Sequence, residues 1–73
     1  MKGDEFRAIR EHLGLSREEM AELLGLSGYS AVSNIEIGHR NPSQLAAMLL
    51  RALKSLSPKR ANELINLLRG FRK

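Results

Sequence analysis

Apolar residues recur along the chain at intervals of three and four positions, which is the spacing of one face of an α-helix. In the first such segment these residues are Phe6, Ile9 and Leu13. Asp4 is a suitable N-cap before the segment, and Gly14 is a suitable C-cap after it. The pattern therefore predicts a first helix from about Glu5 to Leu13.

The second helix has a strong start signal. Ser16 and Glu19 have the spacing of a capping box, in which each side chain accepts a hydrogen bond from the backbone amide of the other residue. The inward positions that follow are Met20, Leu23 and Leu24. A short break at Gly25 comes next. The apolar spacing then resumes, and it predicts a third helix from about Tyr29 or Ser30 to Ile37.

Two further helices complete the pattern. Asn41 is expected to cap the fourth helix, with Pro42 in its first position and Gln44 bonding back to the cap. Its broad apolar face comprises Leu45, Met48, Leu49, Ala52, Leu53 and Leu56, and the apolar surface extends through Ala46, Ala47 and Leu50. A helix with one solvent-exposed side does not need so many apolar residues. Ser57 and Pro58 repeat the start signal for a fifth helix over about residues 58–71.

The length and composition exclude several classes of function. The 73 residues have room for one domain, expected to span residues 1–73. Because the chain has no cysteine and its two histidines lie far apart, we expect no disulfide, no metal site and no cofactor, and nothing indicates an enzyme or a small-molecule substrate. No apolar run approaches the ~18 residues of a membrane span, and Asp4 and Glu5 stand where a signal peptide would carry positive charge. A soluble, cytoplasmic protein is expected.

The net charge of +4 is distributed unevenly. Residues 1–36 carry a net charge of −3 and residues 37–73 carry +7, with a basic end at Arg69, Arg72 and Lys73. A basic half favours a polyanionic partner, because each neutralised phosphate releases counterions. The alternative is a basic surface that serves only solubility.

The second and third predicted helices have the arrangement of a helix-turn-helix. Two helices that cross at about 90–120° approach closely only where the residue at the crossing is small, and Ala21 is such a residue. Gly25 lies in the turn between them. Other short helical hairpins share this spacing, so the motif needs further support.

That support comes from residues 14–27, GLSREEMAELLGLS, and residues 32–43, VSNIEIGHRNPS. Together they resemble the phage-repressor-like (Cro/CI, or Xre) family of DNA-binding proteins, over about residues 6–56. The most specific part is the ending of the second segment, isoleucine-glutamate-x-glycine-x-arginine-asparagine-proline-serine. The resemblance implies an all-α, five-helix lambda-repressor-like domain whose third helix lies in the major groove of double-stranded DNA.

The resemblance also implies which residues read bases. Val32 and Ile35 match inward anchors, and the outward candidates are Tyr29, Ser30, Ser33 and Asn34. Asn34 is the strongest candidate, because an amide can pair with adenine through both its donor and its acceptor. Two alternatives stay open, since Ser30 could instead cap the third helix and Tyr29 could instead close the core.

Phosphate contacts are implied on both sides of the third helix. Ser16, Arg17 and the first amides of the second helix match a phosphate-binding helix start. On the other side lies a loop of His39, Arg40 and Asn41. Arg40 is the better basic candidate, because its charge is always present near pH 7, although it could also be a solvated loop charge. Glu36 matches a structural residue and is assigned no DNA contact.

The sequence departs from the family pattern in three places. There is one extra residue between Leu26 and Val32, most simply Gly28. Arg17 stands where glutamine is more common. Ile37 stands where a polar residue is common, and it is expected to pack against the fourth helix or a partner chain.

The function implied is that of a dimeric repressor, encoded by a bacterium or a phage, that binds an inverted repeat at its own or a neighbouring promoter. The candidates for a dimer interface are Leu50, Leu67 and Phe71, with the fifth helix as the dimerisation element. The alternative is a protein-interaction module of the same fold, antitoxin-like or bridging, with little or no sequence-specific DNA binding.

Overall fold

The computed structural model describes residues 1–72, and in these residues the chain forms five α-helices and no strand. They are α1 (Gly3–His12), α2 (Arg17–Leu24), α3 (Tyr29–Glu36), α4 (Gln44–Ser55) and α5 (Pro58–Gly70). This confirms the all-α, five-helix lambda-repressor-like fold. Lys73, which the sequence places at the basic end of the chain, lies outside the described residues.

The first helix begins before the expected residue. The amide of Phe6 donates to the carbonyl of Lys2 at 3.0 Å, so Lys2 is the N-cap and Asp4 lies inside the first turn. The prediction of Asp4 as N-cap is therefore wrong. The reason is tertiary, because the first turn packs on the end of α3, and a Cβ on Gly3 would overlap the carbonyls of Ile35 and Glu36. Only glycine allows this approach.

The second helix begins and ends as predicted. The Ser16 hydroxyl accepts from the Glu19 amide at 3.0 Å, and the Glu19 carboxylate accepts from the Ser16 amide at 2.9 Å, which completes the capping box. Gly25 ends the helix at a φ of 69°, in the left-handed region where a side chain would be strained. Ala21 is buried, as a close crossing of α2 and α3 requires.

The fourth helix begins two residues later than predicted. Ser43, not Asn41, is its N-cap, and the Ser43 hydroxyl accepts from the Ala46 amide at 3.1 Å. Gln44 is the first helical residue and does not bond back to Asn41. Serine and asparagine cap equally well, and Pro42 fits equally well in the extended segment before a helix, so the local sequence did not distinguish the two starts. The predicted start of α5 is correct, with Ser57 as cap and Pro58 first.

The core takes buried residues from all five helices, including Ala61 and Ile65 of α5, and it differs from the prediction on α4. The buried positions of α4 are Ala47, Leu50 and Leu53, whereas Leu45 and Met48 of the predicted face are exposed. Arg51 forms a two-bond ion pair with Glu5 of α1, at 3.1 and 3.2 Å. Leu50 and Leu53 pack in the core with Phe6 and Ile9 of α1, so this side of α4 faces inward and the edge that carries Leu45 and Met48 remains in solvent.

A buried carboxylate joins the first three helices. Glu36, at the end of α3, accepts hydrogen bonds from Arg10 of α1 at 2.6 Å and from Arg17 of α2 at 3.1 Å. Only 4% of the Glu36 side chain and 10% of the Arg10 side chain are exposed. Arg10 also donates to the carbonyl of Leu15 at 2.9 Å, which fixes the loop between α1 and α2. One carboxylate therefore sets how α3 is held against both preceding helices.

Three more ion pairs join the acidic N-terminal half to the basic C-terminal half. They are Glu5–Arg51 at 3.1 Å, Glu19–Arg69 at 3.4 Å and Glu22–Arg72 at 2.8 Å. Part of the uneven charge along the sequence is thus paired within the domain, between α4 and α1 and between the C-terminal end of α5 and α2.

Replacing the shared carboxylate should destabilise the domain. We expect Glu36→Gln to lower the free energy of unfolding by roughly 3 kcal/mol, because it leaves the charge of the buried Arg10 uncompensated. The matched control is Glu11→Gln, which removes a carboxylate from an exposed ion pair with Arg7. Urea unfolding followed by circular dichroism measures both. Equal, small losses for the two variants would contradict a structural role for Glu36.

Candidate nucleic-acid interface

The third helix has one buried face and one face open to solvent. Ala31, Val32 and Ile35 are buried in the core, so Val32 and Ile35 are inward anchors as predicted. The opposite face carries the four candidate base readers: Tyr29, Ser30 and Asn34 are exposed, and Ser33 is half-buried. α3 therefore presents short polar side chains and one tyrosine in a row about two turns long.

Neither structural alternative for the first two of these residues holds. Ser30 is the second residue of α3, and no side chain caps this helix, whose N-cap is Gly28. Tyr29 is 60% exposed and does not close the core. Both side chains are thus available to a ligand. Gly28 also settles where the helix begins despite the extra residue in this segment.

Tyr29 lies at the edge of the exposed face. It borders an open cleft of about 550 Å³ that also touches Glu18, Glu22 and Arg72. The two glutamates make this edge unfavourable for a phosphate, although Arg72 holds Glu22 in an ion pair at 2.8 Å. Ser30, Ser33 and Asn34 lie away from that edge and are the central residues of the face.

The start of α2 flanks this face with hydrogen-bond donors. The Ser16 hydroxyl lies at this helix end, where it accepts from the Glu19 amide. The capping box satisfies the third amide of the helix and leaves the amides of Arg17 and Glu18 directed out of its end. Hydrogen bonds from the Ser16 backbone and hydroxyl, and then from Arg69, hold the pKa of Glu19 below its usual value. An anion at this helix end would meet amides and the positive end of the helix dipole.

Arg17 has a second role that the sequence did not reveal. Its Nε donates to Glu36 at 3.1 Å, so part of its guanidinium is used inside the protein. Among residues 1–72 its two Nη groups have no hydrogen-bond partner, and 43% of the side chain is exposed. Arg17 can therefore hold the end of α3 and still offer a pair of donors to an oxygen anion.

The loop after α3 is fixed to the helix that it follows. Gly38 turns the chain at a φ of 88°, and the amides of His39 and Arg40 then both donate to the carbonyl of Asn34, at 2.9 and 3.2 Å. The side chains of His39, Arg40 and Asn41 are exposed. Within residues 1–72, Arg40 takes part in none of the ion pairs that tie the two halves together.

The structure changes which residues are candidates for a dimer interface. Leu50 is fully buried in the core, so its assignment to a dimer interface is wrong: it is one of the three α4 positions that pack inward. Leu67 and Phe71 are exposed, as an interface requires. Sequence reasoning missed the exposed Leu45 and Met48. The excess of apolar residues on α4 was the available signal, but it did not show which edge of the helix faces solvent.

The outward face of α3, the start of α2 and the loop after α3 thus form one exposed surface, which we call the candidate interface. It can offer hydrogen bonds to base edges from its centre and donors to phosphates from its two flanks. Among the described residues no three acidic or histidine side chains are grouped to hold a metal ion. In the same part of the chain no helix is long and apolar enough to cross a bilayer.

Comparison with known proteins agrees with this geometry. A family model described as helix-turn-helix matches residues 6–53, which is more than half of the chain. The match includes most of α1, all of α2 and α3, and most of α4, and so it includes every element of the candidate interface. No curated protein and no solved structure gives a significant match.

Proposed function

Because the chain belongs to the phage-repressor-like (Cro/CI, Xre) helix-turn-helix family, we propose that it is a sequence-specific regulator of transcription that binds double-stranded DNA as a homodimer. In this proposal α3 lies in the major groove, and the two flanks of the candidate interface contact phosphates. The protein acts in the cytoplasm as a repressor, by occupying an inverted repeat at its own or a neighbouring promoter.

The observation that carries the proposal is the exposed face of α3. An α-helix with its side chains is about 10–12 Å in diameter, which fits the roughly 12 Å width of the major groove. The exposed side chains of Ser30 and Asn34 are short enough to let the helix backbone approach base edges closely. Asn34 reads adenine with its amide in this proposal, while Ser30 and Ser33 accept several bases and specify less.

The flanks supply contacts that do not depend on base sequence. Ser16, Arg17 and the free amides of α2 bind phosphates on one side of the groove. His39, Arg40 and Asn41 bind phosphates on the other side. Because the backbone of this loop is bonded to Asn34, the phosphate contacts and the strongest base contact share one rigid element.

The dimer is supported by apolar residues that the fold leaves exposed on its last two helices. Leu56, the C-cap of α4, lines one shallow groove with Leu64 and Leu67 of α5, beside Arg60 and Glu63, so apolar side chains from the ends of both helices meet there. The exposed large side chains on these helices are Leu45, Met48, Leu67 and Phe71, and we call them the dimer face. Symmetric pairing through this face brings two α3 helices about 34 Å apart, one turn of DNA.

The first prediction of this proposal concerns charge. Arg40→Glu should abolish DNA binding at near-physiological salt, because it places a negative charge against a phosphate. The matched control is Lys59→Glu, the same charge change in the first turn of α5 outside the candidate interface. Fluorescence anisotropy with a labelled duplex compares the two affinities. The control should weaken DNA binding only slightly, through the lower net charge of the protein.

The same experiment tests the second candidate function, a protein-interaction module, which the exposure of the dimer face favours. Such a module would bind its partner through apolar residues and would tolerate Arg40→Glu. If Arg40→Glu and Lys59→Glu weakened DNA binding equally, the assignment of the loop to a phosphate contact would be wrong.

A second prediction separates base reading from phosphate contact. On the duplex that the wild-type protein enriches from a random pool, Asn34→Ala should remove discrimination at one base pair, worth roughly 1–3 kcal/mol. Arg17→Ala should weaken all sequences alike and lower the slope of log K against log salt by about 1, at a temperature where circular dichroism shows the variant folded, because it also removes a hydrogen bond to Glu36. Affinities for every single-base variant of the duplex, at three salt concentrations, measure both. A uniform loss in Asn34→Ala would refute its role in base reading.

A third prediction concerns the dimer face. Leu67→Glu should convert the protein to a monomer and weaken binding to the inverted repeat much more than binding to a single half-site. Asn66→Glu is the matched control, because Asn66 is exposed on a different side of α5. Sedimentation equilibrium measures the association state. A wild-type protein that is monomeric at every concentration, or a dimeric Leu67→Glu, would contradict the proposed dimer.

A further inference from the structure

One residue of the exposed α3 surface is not used by the polar contacts described above. Ile37, directly after α3, is 64% exposed. Its amide donates to the carbonyl of Ser33 at 3.0 Å, so its backbone continues the helical register by one residue. Of the two expectations for Ile37, packing against the fourth helix is therefore wrong, and packing against a partner chain stays a prediction. In the single chain a large aliphatic side chain stands in solvent at this position.

Ile37 lies in line with the central residues of the candidate interface. It follows Ser30 by seven positions and Ser33 by four, and residues at these intervals share one face of a helix. Side chains on a helix lean toward its N-terminus and cover the preceding turn. The Ile37 side chain is therefore directed back over Ser33 and Asn34, and the serine is too short to shield it.

The chemistry of Ile37 restricts what it can recognise in DNA. An aliphatic side chain has no donor for a phosphate or for the polar base edges. In the major groove the one apolar group is the 5-methyl group of thymine. Because isoleucine is β-branched, its χ1 angle has few rotamers, which limits the positions of its γ-methyl group before DNA binds.

We infer that Ile37 is a specificity-determining residue that packs against the 5-methyl group of a thymine in the major groove. This inference rests on the proposed function, since it requires that α3 enter the groove. It adds an apolar contact to the polar ones, and it places a thymine beside the base pair read by Asn34.

Replacement of thymine by uracil tests the inference, because it removes the 5-methyl group and keeps the pairing edge. In the duplex that the wild-type protein enriches from a random pool, each thymine is replaced singly by deoxyuridine. At one position in each half-site, uracil should weaken wild-type binding about fourfold, the loss expected for one buried methyl group. Ile37→Ala should bind the thymine and uracil duplexes alike.

Ile37→Leu is the matched variant, because it keeps an aliphatic side chain and should retain sensitivity to uracil at that position. Since Ile37 is exposed, all three proteins should unfold at the same temperature, which thermal unfolding checks. If the protein enriches a duplex but no uracil position depends on Ile37, this inference is wrong and the proposed function stands. If the folded protein enriches no duplex at all, both are wrong.

Discussion

The orientation of α3 depends on one buried charge, the carboxylate of Glu36. A carboxylate in the interior is unfavourable unless it is paired and hydrogen-bonded, and here Arg10 and Arg17 supply both conditions. Since the two arginines come from α1 and α2, the three helices must meet at this point. The exposed face of α3, the start of α2 and the following loop are then held in one fixed arrangement, as a surface that reads DNA requires.

The charges of the chain serve two purposes that its sequence does not separate. Arg51, Arg69 and Arg72 of the basic half pair with glutamates of the acidic half, and so their charges are balanced within the domain. Arg40 takes part in none of these pairs within the described residues and lies beside α3. The attraction for a polyanion thus depends on where a few unpaired basic groups lie rather than on the total charge.

Local signals in the sequence predicted local structure well. The capping box of Ser16 and Glu19 and the inward pair Val32 and Ile35 are confirmed, since each depends only on neighbours in the chain. The sequence could not show where α1 begins, which depends on the contact between Gly3 and the end of α3. Nor could it show that Leu50 is buried while Leu45 is exposed. Both belong to the broad apolar surface of α4, and only packing against the other helices decides which part of that surface faces the core. The double role of Arg17 was hidden for the same reason.

The most direct test of this account is to map the DNA-binding surface by NMR. Amide chemical shifts of the labelled protein would be followed as the duplex enriched from a random pool is added. The account predicts that the largest changes fall on residues 16–18, on α3 and on residues 38–41, while the amides of α5 change little when the dimer is already formed. Changes centred on α4 and α5, or none in α3, would contradict the claim that the exposed face of α3 binds DNA.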